Sequence, residues 1–115
     1  IMIPKEKELK LIKIYMYICD VYESSLKFYC QRFSNNNHPI FTDQELLTVY
    51  LFCGAYQQYF KIKDIHTFTK EYLLSWFLDL SSSYQAFNYR LILMPEAIRE
   101  LVWLLIHSNL KIVTV

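Results

Sequence analysis

The sequence predicts an all-α fold, a bundle of about five helices around one central apolar helix. Three observations predict it. The 115 residues contain one Gly and three Pro, too few turn-formers for an all-β chain. Apolar residues recur at steps of three and four along most of the length. Thr42-Asp43-Gln44-Glu45 is a capping box, a local signal for a helix start. Apolar residues make up 54% and aromatic residues 17% of the chain, which argues against disorder. A chain of this length is one domain, or a piece of one, that buries roughly 65% of its unfolded surface, enough for a single core.

The first helix is predicted over residues 5–33, where Leu11, Tyr15, Ile18, Tyr22, Leu26, Tyr29 and Phe33 form one apolar stripe. Pro4 suits its first turn. Lys5, Lys7, Lys10 and Lys13 alternate with Glu6 and Glu8, which reads either as a solvated helix end or as a phosphate-facing edge. Asn35, Asn36, Asn37 and Pro39 make residues 34–41 a loop, with His38 solvated.

The second helix spans residues 43 to about 60. The Thr42 hydroxyl accepts from the Glu45 amide, and Phe41 and Leu46 stand where a hydrophobic staple would. This gives Asp43 and Glu45 to helix initiation, not to acid–base chemistry. The helix is apolar nearly all round, so it belongs in the centre. Gly54 is expected to let a neighbour come close.

A third helix follows over residues 63–78, with Ile62, Ile65, Phe68 or Thr69, Tyr72 and Trp76 as its inner row. Lys61, Lys63 and Lys70 form an outer basic edge. His66 has no His or Cys at a ligand spacing and reads as structural or surface. After a short connector, Ser82 or Ser83 caps a fourth helix over residues 83–92. Tyr84, Phe87 and Leu91 are its anchor side; Gln85, Asn88 and Tyr89 fall on another face, with Arg90 at an edge. This order is compatible with a helix-turn-helix near residues 63–91. The last helix, residues 95–107, has Pro95 in its first turn and Ile98, Leu101, Val102, Leu104 and Leu105 inward, with Trp103 outward.

Totals and motifs narrow the function. The formal charge of +1 argues against strong non-specific DNA binding without excluding a local basic face. Cys19, Cys30 and Cys53 lack CxxC spacing and read as reduced, mostly buried thiols. The longest charge-free run, residues 46–60, holds 15 residues, short of the roughly 20 of a membrane span. The stretch before Cys19 lacks the features of a signal peptide. One Gly excludes a phosphate-binding glycine loop, and no HExxH or paired CxxC is present. The carboxylates are scattered, so a self-sufficient enzyme, a metal cofactor and a small-molecule ligand are not expected here. Both ends read as cut: the opening is Ile-Met-Ile, and the β-branched close, Lys111 to Val115, reads as a strand entering an absent partner.

Four stretches carry a family likeness: Phe33-Ser34-Asn35-Asn36-Asn37, Phe41-Thr42-Asp43-Gln44-Glu45-Leu46, Tyr72-Leu73-Leu74-Ser75-Trp76-Phe77 and Ser83-Tyr84-Gln85-Ala86-Phe87-Asn88-Tyr89-Arg90-Leu91. In order and spacing they resemble the N-terminal helical region of bacterial insertion-sequence transposases of the DDE type, over about residues 9–107. The last stretch is the most specific. The resemblance implies a protein that binds transposon-end DNA in the bacterial cytoplasm, nucleoid-associated when bound. It also implies a following RNase H-like nuclease domain that cuts and joins DNA with three carboxylates and a divalent metal such as magnesium. Those carboxylates match no residue present.

Three readings follow. In the first, the chain is a DNA-binding and positioning module. Gln85 and Asn88 then pair with adenine edges, Tyr89 lies beside them, and Arg90 reaches guanine or phosphate. Lys61, Lys63, Lys70 and Arg32 contact phosphates. In the second, it is a helical module that forms a homodimer or packs on the catalytic domain. In the third, it is an inactive remnant of a transposase gene.

Overall fold

The computed structural model describes residues 3–29, 42–57, 61–73, 76 and 84–107. Among these residues are five α-helices: α1 Lys5–Ser24, α2 Asp43–Phe52, α3 Ile62–Tyr72, α4 Tyr84–Ile92 and α5 Pro95–Ile106. Among the described residues there is no strand, so the all-α class stands. Phe33, Arg32, the Asn loop, Phe41, the Ser82 and Ser83 caps, and the closing β-branched run lie outside the described residues.

α1 starts where Pro4 supplies a carbonyl to the amides of Lys7 and Glu8, at 3.0 and 3.1 Å. Leu11, Ile14 and Ile18, at steps of three and four, are its buried side. The helix ends at Ser24, short of the expected 33, because Ser25 leaves the helical region at φ −144° and ψ −57°. Ser24 Oγ donates to the Val21 carbonyl at 3.3 Å, and Ser25 Oγ donates to Glu100 Oε2 at 3.0 Å. Such serine bonds compete with a continued helix, and the second one ties the chain to α5. A 3₁₀ turn, Leu26–Phe28, then brings Leu26 back into the core. The expected stripe is corrected accordingly. Ile14 takes an inner place, while Tyr15 and Tyr29 stand at the surface.

α2 begins as the sequence predicts. The Glu45 amide donates to Thr42 Oγ1 at 3.2 Å, and the Thr42 amide donates to Glu45 Oε1 at 2.9 Å. Such a cap contributes about 1 kcal/mol. Leu46, Leu47, Val49 and Phe52 are wholly buried, and α2 packs against both α1 and α3. After Phe52 the backbone widens into a π-helical turn, Cys53–Gln57. Gly54 does not seat a neighbour: a Cβ there would meet no atom within 4 Å.

Cys19 and Cys53 are free thiols. Burial pushes the Cys53 thiol up from 9.0 to about 12, against a lowering contact from the Thr69 hydroxyl. The fold therefore favours the neutral thiol. That contribution is complete below about pH 9 and is lost as pH rises towards 12, at about 1.4 kcal/mol per pH unit. Urea unfolding of wild type and Cys53→Ala should show their stability difference moving against wild type above pH 9. A difference constant with pH would contradict this assignment.

α3 turns Ile65, Phe68 and Thr69 inward, and Phe68 stacks on Phe52 at 6.4 Å and on Tyr72 at 4.9 Å. It ends at Tyr72, before the expected 78. Leu73 caps it, and Trp76 lies beyond, in a turn, with its amide on the Leu73 carbonyl. Trp76 is exposed and is not part of the inner row. In α4, Phe87 and Leu91 are the buried anchors, as expected. In α5, Pro95 opens the helix, and Ala97 and Leu101 are buried, with Ile98, Leu104 and Leu105 packed against the core. Val102 is 45% exposed, not inward, because it sits about 100° round the helix from Leu101. Trp103 faces outward.

Candidate nucleic-acid interface

The two short helices α3 and α4 carry most of the sequence-predicted contact residues. Phe87, wholly buried, places its ring 5.1 Å from that of His66, and the Tyr84 ring is 5.9 Å from it. His66 of α3 thus packs against two aromatic rings of α4. Lys63, His66 and Lys70 are spaced three and four apart, so they share one edge of α3. Both lysines are exposed and flank the histidine that touches α4. Lys61 is exposed in the extended N-cap position just before the helix.

The polar row expected on α4 divides. Gln85 and Tyr89, four apart, are both exposed, Tyr89 at 64%. Asn88 is only half-exposed at the flank. Ile92, three residues past Tyr89, extends the outer row and is also exposed. Sequence reasoning missed Ile92, although its step from Tyr89 is the ordinary helical one.

Arg90 turns inward. Its Nη2 donates to Asp43 Oδ1 at 3.0 Å, and the two side chains are only 19% and 9% exposed. Tyr22 Oη donates to the other oxygen of the same carboxylate, Oδ2, at 3.2 Å. Asp43 therefore joins α1, α2 and α4, besides standing in the first turn of α2, where a negative charge is favoured. A guanidinium so engaged is a structural tie between helices. Of the expected contact residues, Gln85, Tyr89 and the three lysines are the ones that stand exposed.

α3 ends at Tyr72 and α4 starts at Tyr84, so eleven residues (73 to 83) separate them. A helix-turn-helix joins its helices by a turn of three or four. The expected connector, residues 79–82, lies outside the described residues.

No family model, curated protein or solved structure matches the chain. The site must be read from its own chemistry. Among the described residues no three His, Cys, Asp or Glu side chains are grouped to hold a metal ion, and no helix is long and apolar enough to cross a membrane. A second surface feature is an open cleft of about 390 Å³ lined by Tyr29, Glu96, Arg99, Glu100 and Trp103. Its two glutamates make it a poor match for phosphate, and Glu100 is already committed to Ser25.

Proposed function

We propose that this chain is the N-terminal DNA-binding and positioning module of a DDE-type transposase, acting in transposon-end recognition in the bacterial cytoplasm. One observation carries the reading. Two stretches of the resemblance, the capping-box stretch and the most specific one, Ser83–Leu91, meet through Asp43 and Arg90 at 3.0 Å. That tie holds α4 on the bundle and leaves Gln85 and Tyr89 exposed, on a helix that packs against α3, whose Lys63 and Lys70 are exposed as well. A motif spent on anchoring a helix and presenting its outer row is what a positioning module requires.

In this reading Lys61, Lys63 and Lys70 neutralise phosphates and set the register. Gln85 offers both a donor and an acceptor to an adenine edge. Tyr89 adds a flat apolar surface with a polar tip. Phosphodiester cleavage belongs to the nuclease domain that the resemblance implies, and no step of it is assigned to residues of this chain.

Selection from a random-sequence duplex library tests the proposal. The chain is expected to enrich a defined sequence and to bind it with a steep salt dependence. Replacing Lys61, Lys63 and Lys70 together by Ala should lower the slope of log K against log salt by up to about 3, one contact each. Retention of no duplex at low salt, or an unchanged slope in the triple variant, would sink it.

A further inference from the structure

The outer side of α1 carries a row that the core does not use. Leu9, Ile12 and Met16 follow at steps of three and four and are exposed at 63%, 39% and 65%. They lie opposite the buried Leu11, Ile14 and Ile18. Solvent-facing rows of large apolar side chains mark contact surfaces. The row is bracketed by charge: Lys5, four residues before Leu9, and Asp20, four residues after Met16, are both exposed. Lys5, Leu9, Ile12, Met16 and Asp20 thus form one stripe, about 22 Å long at roughly 1.5 Å per residue.

This pattern is self-complementary in one orientation only. If two copies of α1 pair antiparallel about an axis between Ile12 and Lys13, Leu9 of each meets Met16 of the other and Lys5 meets Asp20. A parallel pairing would set Lys5 against Lys5 and Asp20 against Asp20. We propose that a second copy of this chain covers the outer face of α1, forming an antiparallel, two-fold symmetric homodimer through Leu9, Ile12 and Met16, with Lys5–Asp20 pairs at its rims. A two-fold contact of this kind is isologous, the same patch serving both subunits. Its rim pairs set orientation more than strength. A stripe of this size gives a weak, concentration-dependent dimer. The proposal stands apart from the DNA reading, because it needs no DNA.

Sedimentation equilibrium of the full chain without DNA tests it. The mass should rise from 13.9 kDa towards twice that value as concentration increases. Met16→Glu should abolish the rise while far-UV circular dichroism and the thermal midpoint stay as in wild type, since Met16 is outside the core. Ile106→Glu, on the exposed side of α5, should leave the dimer intact. Lys5→Glu and Asp20→Lys should each weaken association, and the double charge swap should restore it. A wild-type chain that stays monomeric, or a folded Met16→Glu variant that still dimerises, would overturn the proposal. Failure of the double swap to rescue would overturn its antiparallel arrangement.

Discussion

Asp43→Ala is expected to lower stability by about 3 kcal/mol, the low end for breaking a largely buried ion pair. The carboxylate accepts from both Arg90 and Tyr22, and its side chain is 9% exposed. Its removal takes the Asp43 carboxylate from the Arg90 guanidinium, at a flank where water reaches that group only in part. It also takes a negative charge from the first turn of α2. Urea denaturation gives the value. The comparison that isolates the pair is the double variant Asp43→Leu/Arg90→Met. It should recover much of the loss, because two apolar groups leave no unpaired charge. A single-variant loss below about 1 kcal/mol would place the pair among weak surface bridges. Arg90→Ala should show the same instability, and that instability, not a lost phosphate contact, should dominate its phenotype.

Phe87→Ala is expected to cost about 3–5 kcal/mol, the range for emptying a buried phenylalanine site. The ring is wholly buried and lies 5.1 Å from the ring of His66 on α3. α4 has nine residues, too short to persist without tertiary packing. Losing Phe87 should therefore release α4, and with it Gln85 and Tyr89. Amide exchange in residues 84–92 should rise more than in α1 or α2, and Phe87→Leu should retain most of the protection. Equal protection in the Ala variant would mean that α4 is held by other contacts.

The contrast between what could and could not be read in advance follows from range. The capping box was legible because Thr42 and Glu45 are three residues apart and each bond is local. Phe87 and Leu91 were legible because a helix repeats its inner face every three or four residues. The end of α1 was not, because a hydroxyl on Ser25 reaches Glu100, 75 residues away. Nor was the double duty of Asp43. Its partners lie 21 and 47 residues off, and the capping box already gave it a sufficient local reason. The same tie took Arg90 from the outer row, where its position at the edge of α4 allowed either direction. Val102 misled for a different reason: α5 is apolar on several sides, so periodicity alone could not choose its inner face. At the candidate site, the lysine edge and Gln85 were legible as exposed polar positions. The histidine of α3 that packs against two rings of α4 was read only as structural or surface.

Whether α3 and α4 meet DNA is read out by an amide NMR titration of the full chain with a duplex enriched from the random library. The largest shifts should fall at Lys61, Lys63, Lys70, Gln85 and Tyr89, with α2 little affected. Shifts confined to Leu9, Ile12 and Met16 or to the cleft of Tyr29 and Trp103, or no shifts at all, would contradict a DNA contact there.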